Sequence, residues 1–206
     1  MTIPHTVVPP VHLVPAATEG TLAGSNRRYE KKLPDLDGLY RDSAAFQSQL
    51  AADDGSPVYW VESSDVEKGP GGLIIGLSVL RPGKVGEEFA MTRGHLHDIE
   101  DRSELYSCVS GHGVMLVETV DGRSEVVELH PGESVYIPGH WIHRSVNVGN
   151  DLFVTMFAYA QDAGQDYAII HDAGGMKSLV VEQYGGGWTT RSNPDHIGYR
   201  LETNAS

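Results

Sequence analysis

Residues 94–104 read GHLHDIEDRSE, and a further histidine, His143, follows in the segment Trp-Ile-His-Arg. In a β-strand, residues i and i+2 project from the same face, so His95 and His97 can both point into a barrel. Glu104 begins the next predicted strand, and His143 lies at the start of a later one. Three imidazoles and one carboxylate are suitable ligands for a divalent metal such as Fe²⁺, Mn²⁺, Ni²⁺ or Zn²⁺. The sequence therefore predicts one divalent metal per chain at these four residues.

Around this stretch the chain consists of short β-rich runs separated by Gly, Pro and Asp. Strands at this spacing, without helices between them, are typical of an antiparallel sandwich or barrel. Residues 43–53 carry a helical pattern, with Asp42 or Ser43 as the N-cap. The sequence predicts an all-β fold with one or two short helices. The predicted strands cover residues 58–62, 72–80, 87–93, 103–109, 113–119, 125–130, 133–137, 143–148, 152–160 and 178–184.

Between two of these strands lies the pair Asp121-Gly122. A two-residue type I′ turn requires positive φ at both central residues, which Asp-Gly accommodates. We therefore predict a two-residue hairpin turn at this position.

The two ends of the chain differ in composition from its centre. Residues 1–30 contain prolines and small residues without a sustained helical or strand periodicity. This composition predicts an N-terminal arm. Residues 31–185 carry the predicted strands and predict a single domain, because all-β domains of about 200–250 residues are common. Residues 186–206 predict a C-terminal tail with a strand remnant.

The charge balance excludes several classes of partner. The 206-residue chain has 15 Lys and Arg against 28 Asp and Glu, a net charge of −13. This balance argues against binding to nucleic acid or to an anionic membrane. The single cysteine, Cys108, excludes an intrachain disulfide and a multi-cysteine zinc site. With no basic residue before Arg27 and no apolar run near the roughly 20 residues of a membrane helix, we expect a soluble, cytoplasmic protein.

The remaining histidines fall mostly in turns and tails. His112 and His130 lie beside Gly and Pro, and we expect them to face solvent rather than to bind metal. His140 leaves two interpretations open. It is either a structural loop residue, which we favour, or an additional group at the metal.

Two segments resemble the paired motifs of the cupin superfamily. Residues 132–147 have the spacing G-x5-P-x4-H-x3-N, and residues 94–111 contain the HxH pair, the glutamate and a later glycine. The resemblance implies an antiparallel jelly-roll barrel whose three histidines and one glutamate hold a central metal. Two departures are visible. Six residues separate His97 from Glu104, where the generic motif has three or four, and His140 replaces a glycine that is usual in the second motif.

Longer blocks are similar to a narrower family, the archaeal-type cupin glucose-6-phosphate isomerases. The resemblance extends over roughly residues 28–185. It implies that the protein is a metal-dependent homodimer that interconverts glucose 6-phosphate and fructose 6-phosphate. The partner it implies is therefore a small sugar phosphate. The blocks that carry it are residues 32–40, 82–97, 105–106, 111–116, 135–138, 143–147 and 162–167.

Carried over by position, the resemblance implies that Ser78, Thr92 and Gly94 hold the phosphate through two hydroxyls and a backbone N–H. Gln165 stands where the family often has histidine; it can bind the sugar but cannot titrate near neutral pH. The resemblance also implies that tyrosine hydroxyls surround the sugar, at Tyr59, Tyr106, Tyr159 and Tyr167. We take Glu104 and Tyr159 as the candidate catalytic residues.

Thr92 and Gly94 can share a site with His95 only if the strand is interrupted. Strict alternation places Thr92 and Gly94 on the face opposite His95. A bulge or a strand end at Gly94 removes this conflict. We therefore expect such a break at Gly94.

The reaction chemistry and the function class each have alternatives. Glu104 is the best candidate base for a cis-enediol route, whereas a direct hydride shift needs no protein base. The same ligand set also suits a cupin dioxygenase or another sugar-modifying cupin, because a fold does not fix a function. A non-catalytic sugar-binding cupin with a structural metal is the third possibility. Hydroxyls near the metal favour the isomerase, and a wholly apolar pocket favours oxidation.

Overall fold

A computed structural model of the protein describes residues 7–69 and 71–200, so parts of the expected arm and tail lie outside the described residues. Two α-helices, α1 (Ser43–Ala51) and α2 (Ala168–Asp172), accompany a 3-10 turn at Leu33–Leu36. The strands are β1 (Val14–Ala16), β2 (Thr21–Ala23), β3 (Arg27–Lys32), β4 (Pro57–Ser64), β5 (Leu73–Leu80), β6 (Lys84–Val85), β7 (Glu88–Phe89), β8 (Glu104–Ser110), β9 (Gly113–Thr119), β10 (Ser124–Leu129), β11 (Ser134–Ile137), β12 (Trp141–Asn147), β13 (Phe153–Ala160), β14 (Ser178–Glu182) and β15 (Trp188–Ser192).

The strands pair antiparallel and form a jelly-roll-like sandwich. One sheet has six strands in the order β11-β8-β13-β5-β4-β3, and two smaller sheets have the orders β10-β9-β12 and β15-β14-β7-β6. The main hydrophobic core includes the fully buried side chains of Leu116, Ile142 and Phe153. The predicted all-β fold of the cupin type is therefore confirmed.

Most predicted strands are confirmed to within two residues of their ends, with one exception. Across residues 87–93 the structure has only the two-residue strand β7, followed by an isolated bridge between Met91 and Val146. Gly94 follows at a φ of 72°. The continuous strand predicted here was wrong because the chain leaves the extended conformation, whereas the break expected at Gly94 is confirmed.

The predicted helix is confirmed as α1. Asp42 is its N-cap, and the Asp42 Oδ1 accepts a hydrogen bond of 2.9 Å from the Ala45 N–H. The short helix α2 follows Tyr167. No helix in the described parts of the chain is long and apolar enough to span a membrane.

The sequence predicted only an arm over residues 1–30, but β1 and β2 lie within this segment and β3 begins in it. Strands β1 and β2 form a hairpin, and β3 pairs with β4 at the edge of the six-stranded sheet. The pattern was missed because β3 is mostly exposed and reads RRYEKK, and charged residues are common on edge strands. The domain boundaries at residues 30 and 185 stay predictions.

The β1–β2 hairpin covers one end of the outer face of the six-stranded sheet. Leu22 packs there in a second small core with Trp60 and Leu77. The Trp60 indole N–H also donates a 2.7 Å hydrogen bond to the Gly20 carbonyl. The hairpin, which lies before residue 30, is thus packed against the sheet and is part of the fold.

The turn between β9 and β10 differs from the predicted type I′ turn. Gly122 has a φ of 91°, but Asp121 does not have a positive φ. The Thr119 N–H donates to the Arg123 carbonyl, and the Thr119 hydroxyl accepts from the Arg123 N–H. These bonds close a three-residue loop in which only the glycine adopts positive φ. Three-residue loops of this kind are common in hairpins.

Candidate metal centre and active site

Four predicted ligands meet in the interior of the sandwich. The Oε2 atom of Glu104, at the start of β8, lies 3.0 Å from His143 Nε2 on β12. His97 Nε2 and His95 Nε2 lie 3.3 and 3.9 Å from the same oxygen. All four residues are buried, and their ligand atoms lie within 4.8 Å of one another. The sequence-predicted cluster is thus brought together from three separate segments.

Backbone carbonyls orient two of the imidazoles. His97 Nδ1 lies 2.9 Å from the Arg102 carbonyl, and His143 Nδ1 lies 3.0 Å from the Trp141 carbonyl. A carbonyl only accepts hydrogen bonds, so each Nδ1 carries a hydrogen and each ring directs its Nε2 at Glu104. Such fixed rings are typical of metal-binding histidines.

These orientations require a proton or a cation at the centre of the cluster. A lone pair on His143 Nε2 and a carboxylate oxygen 3.0 Å away repel each other unless a proton or a cation lies between them. The buried His97 Nε2 has no hydrogen-bond partner within the described residues. Unpaired buried nitrogens are rare in folded proteins. The donor set therefore fits a divalent metal.

The protonation states of Glu104 and His95 also suit a metal. Burial alone would raise the pKa of Glu104, but the neighbouring His143 and His97 lower this pKa to about 2. Burial lowers the pKa of His95 well below its usual value. An ionised carboxylate and a neutral imidazole are the forms that ligate metals.

The break at Gly94 places neighbouring residues in the same site. The His95 N–H donates to the His143 carbonyl over 3.1 Å, and the His143 N–H donates back to His95 over 3.0 Å. Three residues before His95, the Thr92 N–H donates to the Ser145 carbonyl over 3.0 Å. The positive φ at Gly94 changes the direction of the chain between these two contacts, so Thr92 and His95 face one cavity.

The cavity has a volume of about 190 Å³ and opens onto the ligand cluster. Every predicted site residue except His97 lines it. His97 lies behind the cluster, where it borders a small gap beside Pro138. The predicted residues on the cavity wall are Tyr59, Ser78, Thr92, Gly94, His95, Glu104, Tyr106, His143, Tyr159, Gln165 and Tyr167.

Tyrosine hydroxyls and one amide form the polar rim of the cavity. Burial raises the pKa of Tyr59 and of Tyr159, so both phenols stay protonated at neutral pH and can donate hydrogen bonds. The Tyr167 hydroxyl donates to Gln165 Oε1. Gln165 Nε2 lies 3.4 Å from His95 Nε2. Gln165 is therefore close enough to contact both the ligand cluster and a bound substrate.

Three arginines that were not predicted from the sequence, Arg27, Arg28 and Arg144, also line the cavity, together with Arg93. Arg27 pairs with Asp65 and Arg28 pairs with Glu62. Arg144 is buried, donates from Nη2 to the Arg93 carbonyl, and has no hydrogen-bond partner for its Nε within the described residues. Two sequence signals could have identified them, namely the adjacent pair at 27–28 and the position of Arg144 directly after His143.

His140 lies outside the four-ligand cluster. Its side chain is exposed, and its Nδ1 lies 3.1 Å from Glu100 Oε2. Its backbone has a φ of 68°, and its N–H donates to the Glu100 carbonyl over 2.6 Å. These contacts agree with the structural loop role that the sequence analysis favoured.

Comparison with known proteins identifies the family. Residues 30–197 match the family described as Glucose-6-phosphate isomerase (GPI). The chain belongs to the glucose-6-phosphate isomerase family. It is 41% identical to the putative glucose-6-phosphate isomerase 1 of Rhizobium meliloti, over 85% of this chain and 82% of that protein. It is 39% identical to the glucose-6-phosphate isomerase of Thermococcus kodakarensis, over 81% and 86% of the two chains. The family predicted from the sequence blocks is confirmed.

Gly94→Ala tests how strongly the glucose-6-phosphate isomerase site depends on the backbone break. A Cβ at Gly94 meets the Arg144 Cβ, the His143 carbonyl oxygen and Ile170 Cδ1, all at 2.9 Å, and the φ of +72° disfavours any side chain. The substitution should displace His95 and lower isomerase activity roughly 100-fold, the scale of loss for a misplacement of about 1 Å. A coupled isomerase assay and urea unfolding measure the two effects.

Gly132→Ala is the matched control. Gly132 has a φ of +91°, but a Cβ there meets nothing within 4 Å, so the substitution introduces only backbone strain of about 1–2 kcal/mol. We expect it to reduce stability while leaving isomerase activity intact. Equal losses of activity in the two variants would contradict the dependence of the site on Gly94.

Proposed function

We propose that this protein interconverts glucose 6-phosphate and fructose 6-phosphate with the help of a bound divalent metal. The observation that carries the proposal is the arrangement of three imidazoles around Glu104, on the wall of a cavity that also exposes the Ser78 and Thr92 hydroxyls. This polar cavity favours the isomerase over a cupin dioxygenase, for which an apolar pocket was expected. The family match supports the same choice.

The phosphate would lie beside Ser78, Thr92 and Gly94. The Thr92 hydroxyl accepts a 3.1 Å hydrogen bond from the Ser145 N–H, so its own hydrogen stays free to donate to an anion. Arg144 supplies a buried positive charge on the same wall. Hydroxyl donors next to a guanidinium that forms no ion pair among the described residues support the binding of a phosphate dianion.

His95, His97, Glu104 and His143 would hold the metal, which can be Fe²⁺, Mn²⁺, Ni²⁺ or Zn²⁺. When bound, a divalent ion supplies Lewis-acid polarisation of the substrate carbonyl. Tyr159 lies against His97, with ring centroids 5.5 Å apart, and its protonated hydroxyl would donate to a sugar oxygen. The other rim groups, Tyr59, Tyr106, Gln165 and Tyr167, would bind and orient the open-chain sugar.

Glu104 is the proposed base for the transfer of hydrogen between C2 and C1. It would take the C2 proton of the aldose, the O2 hydroxyl proton of the resulting enediolate would pass to O1, and Glu104 would return a proton to C1, giving the ketose. Because His143 and His97 lower the pKa of Glu104, the carboxylate gains basicity only when one of these contacts loosens. The alternative, a direct hydride shift between the two carbons, requires no base.

Removal of the metal tests the proposed function. Dialysis against EDTA should abolish the conversion of fructose 6-phosphate to glucose 6-phosphate, and one or more of Fe²⁺, Mn²⁺, Ni²⁺ and Zn²⁺ should restore it. His143→Gln should lower both metal content and activity, because it removes a ligand. His171→Gln is the matched control, since His171 is exposed and outside the cavity. Protein that stays inactive with all four metals would not be this isomerase.

Turnover in D₂O tests the role of Glu104. If Glu104 transfers a proton, fructose 6-phosphate formed from glucose 6-phosphate should carry solvent deuterium at C1, as measured by NMR at low conversion. Product without deuterium, at early and late times alike, would reject Glu104 as the base and support the hydride shift. Substrate incubated without enzyme controls for spontaneous exchange.

We also propose that the protein forms a homodimer through an apolar row on the outer face of the six-stranded sheet. Tyr136, Leu105, Ala158 and Ile75 are successive cross-strand partners in this row. Tyr136 is 63% exposed and Leu105 is 43% exposed. The β1–β2 hairpin covers the other end of the face, so a second copy of the chain could bury the exposed row.

Sedimentation equilibrium tests this dimer. The wild-type chain should sediment as a dimer, and Leu105→Lys together with Tyr136→Lys should shift it to the monomer. Ile197→Lys is the control, because Ile197 is 82% exposed and lies far along the chain from this row. A monomeric wild type, or a double variant that remains dimeric, would refute this interface.

A cytoplasmic location is also proposed, with a role in carbohydrate metabolism. Cys108, the single cysteine, is free and buried. Burial and the nearby Glu133 raise the pKa of this thiol to about 11, so it remains a protonated thiol. A free thiol supports a reducing compartment.

A further inference from the structure

A second group of potential metal ligands lies on the surface, at the open end of the β9–β10 hairpin. Gly113 of β9 pairs with Leu129 of β10 in the antiparallel register. The next pair in that register is His112 and His130, and Glu128 projects from the same face as His130 because they are two residues apart. The hairpin register therefore directs three ligand-bearing side chains to one place.

The three side chains do converge. His112 Nε2 lies 2.6 Å from Glu128 Oε1, and His130 Nε2 lies 3.9 Å from the same oxygen. The two imidazoles stack, with ring centroids 4.5 Å apart and an angle of 15° between their planes. All three ligand atoms lie within 4.8 Å of one another. Both histidine side chains are partly exposed, as the sequence predicts, but they also share a carboxylate, which the sequence does not predict.

The geometry of this group is close to what a metal requires. Ligand atoms about 2.0–2.2 Å from a tetrahedral ion lie about 3.3–3.5 Å from one another. The observed Nε2–Oε1 distances of 2.6 and 3.9 Å straddle this value. The buried cluster shows a similar spread, from 3.0 to 3.9 Å. Because the three surface side chains are partly exposed, small rotamer changes can equalise their distances.

We propose that His112, Glu128 and His130 form a second divalent metal site, suited to Zn²⁺ or Ni²⁺. Two imidazoles and one carboxylate are the ligand types that these ions accept, and the exposed side leaves room for water at the remaining positions. The site lies outside the cavity-lining residues, so it is independent of the proposed isomerase reaction.

The site also connects two parts of the fold. The Trp188 indole N–H, on β15, donates a 3.3 Å hydrogen bond to Glu128 Oε1. A hydrogen bond that orients a ligating carboxylate commonly tunes metal affinity. A metal at Glu128 would thus connect the β9–β10 hairpin to the C-terminal hairpin, and it would lie close to a fluorescent side chain.

Metal counting tests the proposal on the full chain as purified, with its resident metal in place. Wild type and the variant His112→Gln with His130→Gln are brought to equilibrium by dialysis against ZnCl₂, and total metal per chain is measured by mass spectrometry. Wild type should hold one more metal than the double variant, and both should keep the same isomerase activity. Equal metal content in the two proteins would overturn the proposal.

Two further variants keep the test decisive. His171→Gln is the control for any exposed histidine, because His171 lies 3.2 Å from Asp172 but has no second imidazole in a ligand group of the described residues. It should bind as much Zn²⁺ as wild type. If the double variant fails to fold, as judged by circular dichroism, Glu128→Gln replaces it and should show the same loss.

Fluorescence locates the bound ion independently of the count. Ni²⁺ should quench the emission of Trp188, and Trp188→Phe should remove most of this quenching while keeping the additional metal. Ni²⁺ that quenches wild type and Trp188→Phe equally would place the ion elsewhere and overturn the proposal.

Discussion

The buried carboxylate of Glu104 imposes the main constraint on this structure. An isolated charge in a protein interior is strongly destabilising unless it is paired, and here three imidazoles approach Glu104 closely enough to pair with it. Carbonyls hold two of these rings so that Nε2 faces the carboxylate. Each contact between an Nε2 and the carboxylate therefore needs a proton or a cation, and the donor set fits a divalent ion.

This constraint explains why the local backbone is irregular at the site. His95 and His143 exchange two backbone hydrogen bonds, which fix their side chains next to each other across the sandwich. A regular strand through Thr92 would then turn its hydroxyl away from the cavity. The positive φ at Gly94 resolves the conflict, and its close contacts with the His143 backbone explain why no larger residue fits there.

The candidate ligands were predictable from the sequence because strand alternation puts His95 and His97 on one face and the spacing around His143 matches the second motif. Neither signal needs tertiary information. The edge strand β3 was not predictable in the same way. It pairs with β4 along one edge, and its charged side chains mostly face solvent, so it has no alternating hydrophobic pattern. The partnership of His112 with His130 depends on the register of a hairpin, and the turn type in that hairpin was itself predicted incorrectly. The sequence pattern therefore could not predict features that depend on strand register and on packing.

The net charge of −13 opposes the approach of a phosphate dianion, so the attraction must be local. Arg27 and Arg28 contribute little to it because Asp65 and Glu62 pair with them. Arg144 differs: it is buried, and its nearest polar contacts are the Arg93 carbonyl and the Met91 sulfur rather than a carboxylate. A guanidinium in low dielectric without a carboxylate partner keeps its attraction for an anion. The cavity can therefore bind a sugar phosphate inside a protein that repels larger polyanions.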